Sequence, residues 1–297
     1  NIAMGLFIFS IGLFKKVVIA DTFSVWATTG FDMATTLNFF EAWGTSLSYT
    51  FQLYFDFSGY VDMAIGSALL FNIKLPINFN SPYKAINIQD FWRRWHITLS
   101  RFLKNYIYIP LGGNKRGNFR TYNNLMITFI LAGFWHGAAW TFVFWGFLHG
   151  SALIIHRVWS NFGFKIWAWV AWFITFNFLN ISWVFFRANE WKDALKILSS
   201  MFSFSNIVLH PLFQKRFSFL AEYGITFGGM LEQIKGSRWT VVWIFIGFII
   251  VLVFRNSSDK FFNFKVRLVD AIFTAILIFT SCISIRSIKS EFLYFNF

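Results

Sequence analysis

His136 stands in Leu131-Ala-Gly-Phe-Trp-His-Gly-Ala-Ala-Trp140, a stretch without charged residues and rich in aromatic rings. An ionisable side chain at membrane depth is costly and marks a functional site by default. Apolar surroundings favour the neutral imidazole, which can accept a proton from a hydroxyl as a general base. Gly133 and Gly137 flank it and leave room for close approach of backbone or substrate. A buried structural histidine, hydrogen-bonded to a neighbouring helix, satisfies the same residues, and composition alone leaves both readings open.

His96 follows Trp95 in a basic segment. It reads first as an interfacial histidine packed beside tryptophan, and second as a further catalytic group or a contact to a donor's carbonyl or phosphate. Asp56 and Asp62 lie in the apolar run Tyr54-Phe-Asp-Phe-Ser-Gly-Tyr-Val-Asp-Met63. Carboxylates there need partners or water. Arginines of the basic segment are the expected partners. A spacing of six puts the two on different helix faces, against a shared acid/base pair. His149, His156 and His210 read as structural or solvated, and no metal set is expected. Phosphate-cradle, dinucleotide and nucleophile-elbow motifs do not occur in the sequence.

The elements that must position these residues are membrane helices. Of 297 residues, 57% are hydrophobic and 13% charged, against about 25% charged in soluble domains. The net charge of +13 fits the positive-inside rule and anionic headgroups better than nucleic acid, because the basic residues sit between apolar runs. The single cysteine, Cys282, excludes an internal disulfide. Uncharged runs cover Ile166–Phe186, Trp239–Phe254 and Ala271–Ile285, while Ala42–Ile73 holds only Asp56 and Asp62. Thr121–His156, at 36 residues, is too long for one crossing and short for two, so a hairpin or re-entrant segment is expected, with His136 about 22 Å along its first limb.

Lys74–Arg120 carries nine basic residues and one acid, Asp90, and is expected on the cytoplasmic side with Arg255–Arg267, leaving Arg187–Arg238 outside. Read as one helix, Asp90–Asn105 places Trp92, Trp95, His96, Leu99 and Leu103 on one face and the basic residues on the other, an amphipathic interfacial helix. Pro110 and the Leu111-Gly-Gly-Asn114 turn end it. The chain begins with Asn1 inside an apolar run; Asn1–Phe14 is too short to cross and reads as the tail of a helix in an N-terminally truncated fragment. Lys15-Lys16 looks cytoplasmic, although Val17–Glu41 is a poor candidate for a crossing.

Several motifs together resemble the membrane-bound O-acyltransferase superfamily, in its alginate O-acetylation and peptidoglycan O-acetyltransferase branch. They are Tyr54–Gly66, Asn78-Phe-Asn-Ser-Pro-Tyr83, Asp90-Phe-Trp-Arg-Arg-Trp-His-Ile-Thr-Leu-Ser100, Tyr108–Asn114, Gly133–Trp140, Ser182-Trp-Val-Phe-Phe-Arg-Ala188 and the terminal Phe-Leu-Tyr-Phe-Asn-Phe. The resemblance spans nearly the whole of residues 1–297 as one membrane-embedded domain. It implies an all-α polytopic fold around a central funnel, with interfacial amphipathic helices, in a bacterial inner membrane. It further implies transfer of an acyl group, usually acetyl, from a thioester such as acetyl-CoA toward an exported polysaccharide, with a periplasmic acetyltransferase as partner and no bound cofactor. His136 and His96 match its histidines. Trp135, Arg93, Arg94, Trp95, Asp56 and Asp62 are carried as candidate contacts to donor or acceptor. A D-alanyl transferase for teichoic acid, a transporter or channel built on the carboxylates, and a scaffold without chemistry are the rival readings.

Overall fold

A computed structural model describes residues 1–262 and 265–285. Among these the regular elements are helices apart from one two-residue parallel strand pair, Val208–Leu209 with Thr226–Phe227. The terminal Phe-Leu-Tyr-Phe-Asn-Phe segment lies outside the described residues.

The first helix, α1, runs unbroken over Ile2–Met33 and is long and apolar enough to cross a membrane. This corrects the reading of residues 1–14 as a helix tail and of 17–41 as a poor crossing. Two π-helical segments, Lys15–Ala20 and Thr29–Met33, lie within it. The second helix, α2, spans Phe39–Leu70 and opens with a capping box: Glu41 donates its backbone N–H to Asn38 Oδ1 at 3.0 Å and accepts from the Asn38 N–H at 2.9 Å.

The two helices pack antiparallel through small residues. A side chain on Gly5 would meet the Gly66 carbonyl, and one on Gly12 the Gly59 carbonyl, as close helix approach in membranes requires. Further along, Gly30 packs on Thr45. From Gly12 to Gly30 α1 advances 18 residues while α2 retreats 14, from Gly59 to Thr45. The wider π turns between advance less per residue.

That packing buries Lys15 and Lys16 in mid-bundle. Lys15 Nζ pairs with Asp62 at 2.7 Å and Lys16 Nζ with Asp56 at 2.5 Å and Asp21 at 3.2 Å. The carboxylates therefore pair with these lysines and not with arginines of the basic segment, and Lys15-Lys16 is not a cytoplasmic flank. A charge buried beside an opposite charge avoids the full cost of desolvation, which the one-dimensional charge pattern cannot reveal.

The expected single helix over 90–105 is broken into α3, Ile88–Arg94, and α4, Ile97–Leu103. The cause is tertiary. Asn80 donates its N–H to the Arg94 carbonyl at 2.9 Å, and Ile97 donates to the Asn78 carbonyl at 3.1 Å. Strand-like pairing with residues 78–80 takes the backbone groups that a continuous helix would use. Gly112 and Gly113 adopt positive φ in the turn after α4, as expected.

The long uncharged run is a hairpin of α5, Gly117–His136, and α6, Trp140–Asn161. A side chain on Gly133 would strike the Phe142 carbonyl, and one on Gly146 the Phe129 carbonyl, so the limbs touch backbone to backbone. α7, Ala168–Arg187, α9, Arg238–Val253, and α10, Leu268–Ile285, follow the uncharged runs. Of these, α7, α10 and a span from Arg238 to Asp259 that contains α9 are long and apolar enough to cross. Between them lies the amphipathic helix α8, Trp191–Met201.

The bundle has two ends. At one, Lys84 of the basic segment donates to the Phe254 carbonyl at 2.8 Å. At the other, Arg187 pairs with Asp32 at 2.5 Å and Glu41 accepts from the Gln233 N–H at 2.8 Å. The segment 187–238 thus sits at the end opposite the basic segment.

Candidate functional site

His136 is the last residue of α5, at the tip of the hairpin, after 20 residues of helix. At 1.5 Å per residue that is about 30 Å of helix, the thickness of a bilayer core. The ring packs edge-on to Phe186 at 4.9 Å and to Trp145 at 5.4 Å between centroids. Gly137 ends the helix, and a side chain there would meet the Phe142 ring.

His96 sits at the break between α3 and α4 in the left-handed region, with φ of 42°. Histidine tolerates that conformation better than most residues. Its Nδ1 lies 3.3 Å from Asn78 Oδ1, which also accepts from the Thr98 hydroxyl at 2.6 Å and the Thr98 N–H at 3.2 Å. An amide oxygen only accepts, so His96 Nδ1 carries the hydrogen and Nε2 is the nitrogen that can take a proton. Burial pulls this imidazole down to about 4. It is neutral near neutral pH.

The two histidines line one narrow cleft, with Trp95, Trp145, Trp183 and Phe186 among its walls. Its volume is about 10 Å³, room for roughly one water. Breaking the 90–105 helix is what turns His96 inward. Phe186 also lines a larger cavity of about 760 Å³, walled by polar and apolar residues of α1, by Gln52 of α2, by Gly137–Ala139 and by Arg187. That cavity lies toward the end opposite the basic segment.

Of the other sequence candidates, Trp95 is in the cleft. Trp135 is 62% exposed, with its ring beside His136 but outside both cavities. Arg94 pairs with Asp90 within α3 at 2.9 Å, and Arg93 is exposed. Asp56 and Asp62 line neither cavity and belong to the lysine pairs. His149 lines neither cavity: it accepts from Trp92 Nε1 at 3.2 Å and its Nε2 lies 3.1 Å from Ser182 Oγ, which itself donates to the Leu179 carbonyl. This wedge holds Trp145, with ring centroids 4.7 Å apart.

Sequence reasoning missed four contributors. Asn78 is one, hidden inside a motif whose function only the fold reveals. Trp145 is another: its indole N–H is buried with no hydrogen-bond partner among the described residues. Gln52 and Arg187 line the larger cavity. Their signal was weak, since a glutamine or a terminal arginine in an aromatic helix fits packing and anchoring equally well.

A sequence model for the membrane-bound O-acyltransferase family matches residues 1–190. The chain is similar, at 52% identity over its whole length, to a peptidoglycan O-acetyltransferase of Helicobacter pylori, of which the match covers 57%. It is similar at 44% identity, over 68% of its length, to a probable alginate O-acetylase of Pseudomonas aeruginosa, covering 39% of that protein. A teichoic acid D-alanyltransferase of Streptococcus thermophilus is 34% identical over 39% of the chain and 30% of its own length. The chain spans about half the length of the curated relatives it matches.

Proposed function

This chain belongs to the membrane-bound O-acyltransferase family, and from that premise we propose that it is the histidine-bearing part of an O-acetyltransferase working across a bacterial inner membrane. The donor is a cytoplasmic acyl thioester, such as acetyl-CoA, reaching the cleft from the basic end near Arg93 and Arg94. The acceptor enters from the larger cavity. The observation that carries this reading is the meeting of His96 and His136, from distant segments, in one tryptophan-walled cleft that adjoins a larger cavity of mixed polar and apolar lining.

The chemistry follows from the groups present. A neutral imidazole takes the proton of the acceptor hydroxyl as its oxygen attacks the thioester carbonyl. The C–O bond forms, the C–S bond breaks, and the proton passes to the departing thiolate. Charge develops on the carbonyl oxygen during attack, and a pre-placed donor stabilises it most effectively where water is excluded. The orphaned N–H of Trp145 is such a donor. His136, at the hairpin tip beside the cavity, is the base for the acceptor; His96, held by Asn78, is its companion on the donor side.

The final acceptor is an exported polysaccharide, reached directly or through a periplasmic acetyltransferase. Peptidoglycan is favoured, because the likeness that covers the whole of this chain is to a peptidoglycan O-acetyltransferase, whereas the teichoic acid relative matches only 39% of the chain. The test is His136→Ala in the full-length protein in its own cells, with base-labile acetyl on purified peptidoglycan as readout. Loss of acetyl at unchanged protein level is expected. Retained acetylation sinks the reading, and a transporter or scaffold takes its place.

A further inference from the structure

Two spaces meet across one aromatic ring. Phe186 lines both the histidine cleft and the larger cavity, and no other described residue is common to the two. The chain on three elements divides between them in the same way. On α2, Gln52 lines the cavity and Leu53 the cleft. At the hairpin tip, Gly137 lines the cavity and His136 the cleft. At the end of α7, Arg187 lines the cavity next to Phe186 itself. The cleft, about 10 Å³, holds roughly one water, whereas the cavity of about 760 Å³ holds many.

The backbone beside Phe186 is fixed. Arg187 pairs with Asp32 at 2.5 Å, and its guanidinium lies over the Phe31 ring at 5.3 Å. The Ala188 carbonyl accepts from the Thr141 hydroxyl at 3.2 Å. The Phe186 ring is buried, with edge-on contacts to His136, Trp145, Phe142 and Trp183 at 4.9, 5.1, 5.2 and 5.4 Å between centroids. A phenyl ring carries no hydrogen-bonding group, so it leaves such contacts without stranding a polar partner. The cavity beside it has the volume to receive it.

The chemistry makes a partition necessary. A neutral imidazole that takes a proton from an acceptor hydroxyl takes one from water as readily. Water then adds to the thioester carbonyl: the C–O bond forms, the C–S bond breaks, and the proton of the water ends on the departing thiolate. The products are acetate and free thiol, and the acyl group is lost. Keeping bulk water out of the site prevents this side reaction.

We propose that Phe186 is a gate between cavity and cleft, whose ring shields the thioester and His136 from the cavity's water and is displaced toward the cavity when the acceptor hydroxyl enters. It touches His136 and makes no bond in the reaction; it decides whether water or acceptor is the nucleophile. The closure rests on the geometry of the two spaces, and only the reaction it protects rests on the acyl-transfer reading.

The test has two arms, both on the full-length protein in right-side-out membrane vesicles. The first reads closure without acyl chemistry. Gln52→Cys and Leu53→Cys are placed singly in a background without other cysteines and treated from outside with a small cationic thiosulfonate. That reagent attacks the thiolate, which forms only where water reaches, so Leu53→Cys is expected to react about tenfold or more slowly than Gln52→Cys. Phe186→Ala brings the two rates together, and the bulkier Phe186→Leu keeps them apart. The second arm compares acetyl delivered to the glycan with free acetate released. Phe186→Ala is expected to raise acetate per acetyl delivered by about tenfold, while Phe186→Leu stays near the parent; a merely structural role lowers both products together. An unreactive Gln52→Cys, equal reaction of the two cysteines with Phe186 intact, a slow Leu53→Cys that Phe186→Ala leaves slow, or an unchanged acetate ratio in an active Phe186→Ala overturns the gate. Gated labelling in a protein that neither transfers nor hydrolyses leaves the gate standing while the acyl-transfer reading falls. Ungated labelling with transfer intact does the reverse.

Discussion

Asn78 and His96 are held together by a single amide oxygen, with Asn78 Oδ1 lying 3.3 Å from His96 Nδ1 while it accepts two hydrogen bonds from Thr98. This fixes the tautomer and turns Nε2 into the proton-accepting nitrogen. Asn78 acts through His96 and is a positioning residue. Asn78→Ala is expected to lower the acetyl-transfer rate about ten- to a hundredfold with the protein still inserted. Asn78→Asp places a carboxylate beside the ring and raises the imidazole pKa, so the acid limb of the rate profile moves to higher pH. A purely structural asparagine would leave that limb unmoved.

Trp145 lines the cleft with both histidines, and its N–H has no hydrogen-bond partner among the described residues. Trp145→Phe keeps most of the ring and removes the donor. The expected result is a fall in kcat of about tenfold or more with little change in KM for the thioester and no loss of thermal stability in detergent. Full activity in Trp145→Phe would show that the indole serves packing alone.

Lys15 and Asp62 form an ion pair of 2.7 Å, joined by the Ser257 hydroxyl, which donates to Asp62 at 2.8 Å. Removing one partner strands a buried charge, at a cost on the order of 3–5 kcal/mol. Asp62→Leu is therefore expected to reduce folded protein sharply. The double variant Lys15→Met with Asp62→Leu should recover most of it. Thermal melts and membrane yield of the three proteins read this directly; a double variant no better than the single refutes the pairing as the cause.

The imidazole of His96 titrates at about 4 in the fold because it is buried, against about 6.5 when exposed. Between those values the unfolded ring binds a proton that the folded ring does not. The stability it contributes is complete above about pH 6.5 and is lost as pH falls toward 4. Thermal midpoints measured from about pH 7 to about pH 4.5 should fall less steeply in His96→Gln than in the parent. Equal slopes would assign the acid sensitivity to other groups.

Much of this molecule is legible in one dimension. The uncharged runs predict α7, α9 and α10 within a few residues, and the 36-residue run predicts the α5–α6 hairpin. The reason is that a lipid-facing helix must be apolar along its whole length, and such a requirement is written directly into composition. The run places His136 far along the first limb; that it is the last residue of that limb, at the hairpin tip, is seen only in the fold.

What the tertiary structure alone decides is where buried polar groups find partners. Lys15 and Lys16 look like a cytoplasmic flank until α2 brings Asp62 and Asp56 to them. The periodicity of 90–105 is helical throughout, yet residues 78–80 capture the backbone of Arg94 and Ile97 and swing His96 toward His136. Burial of apolar surface is a property of each segment by itself, whereas a hydrogen bond or ion pair between distant segments exists only once the chain has brought them together.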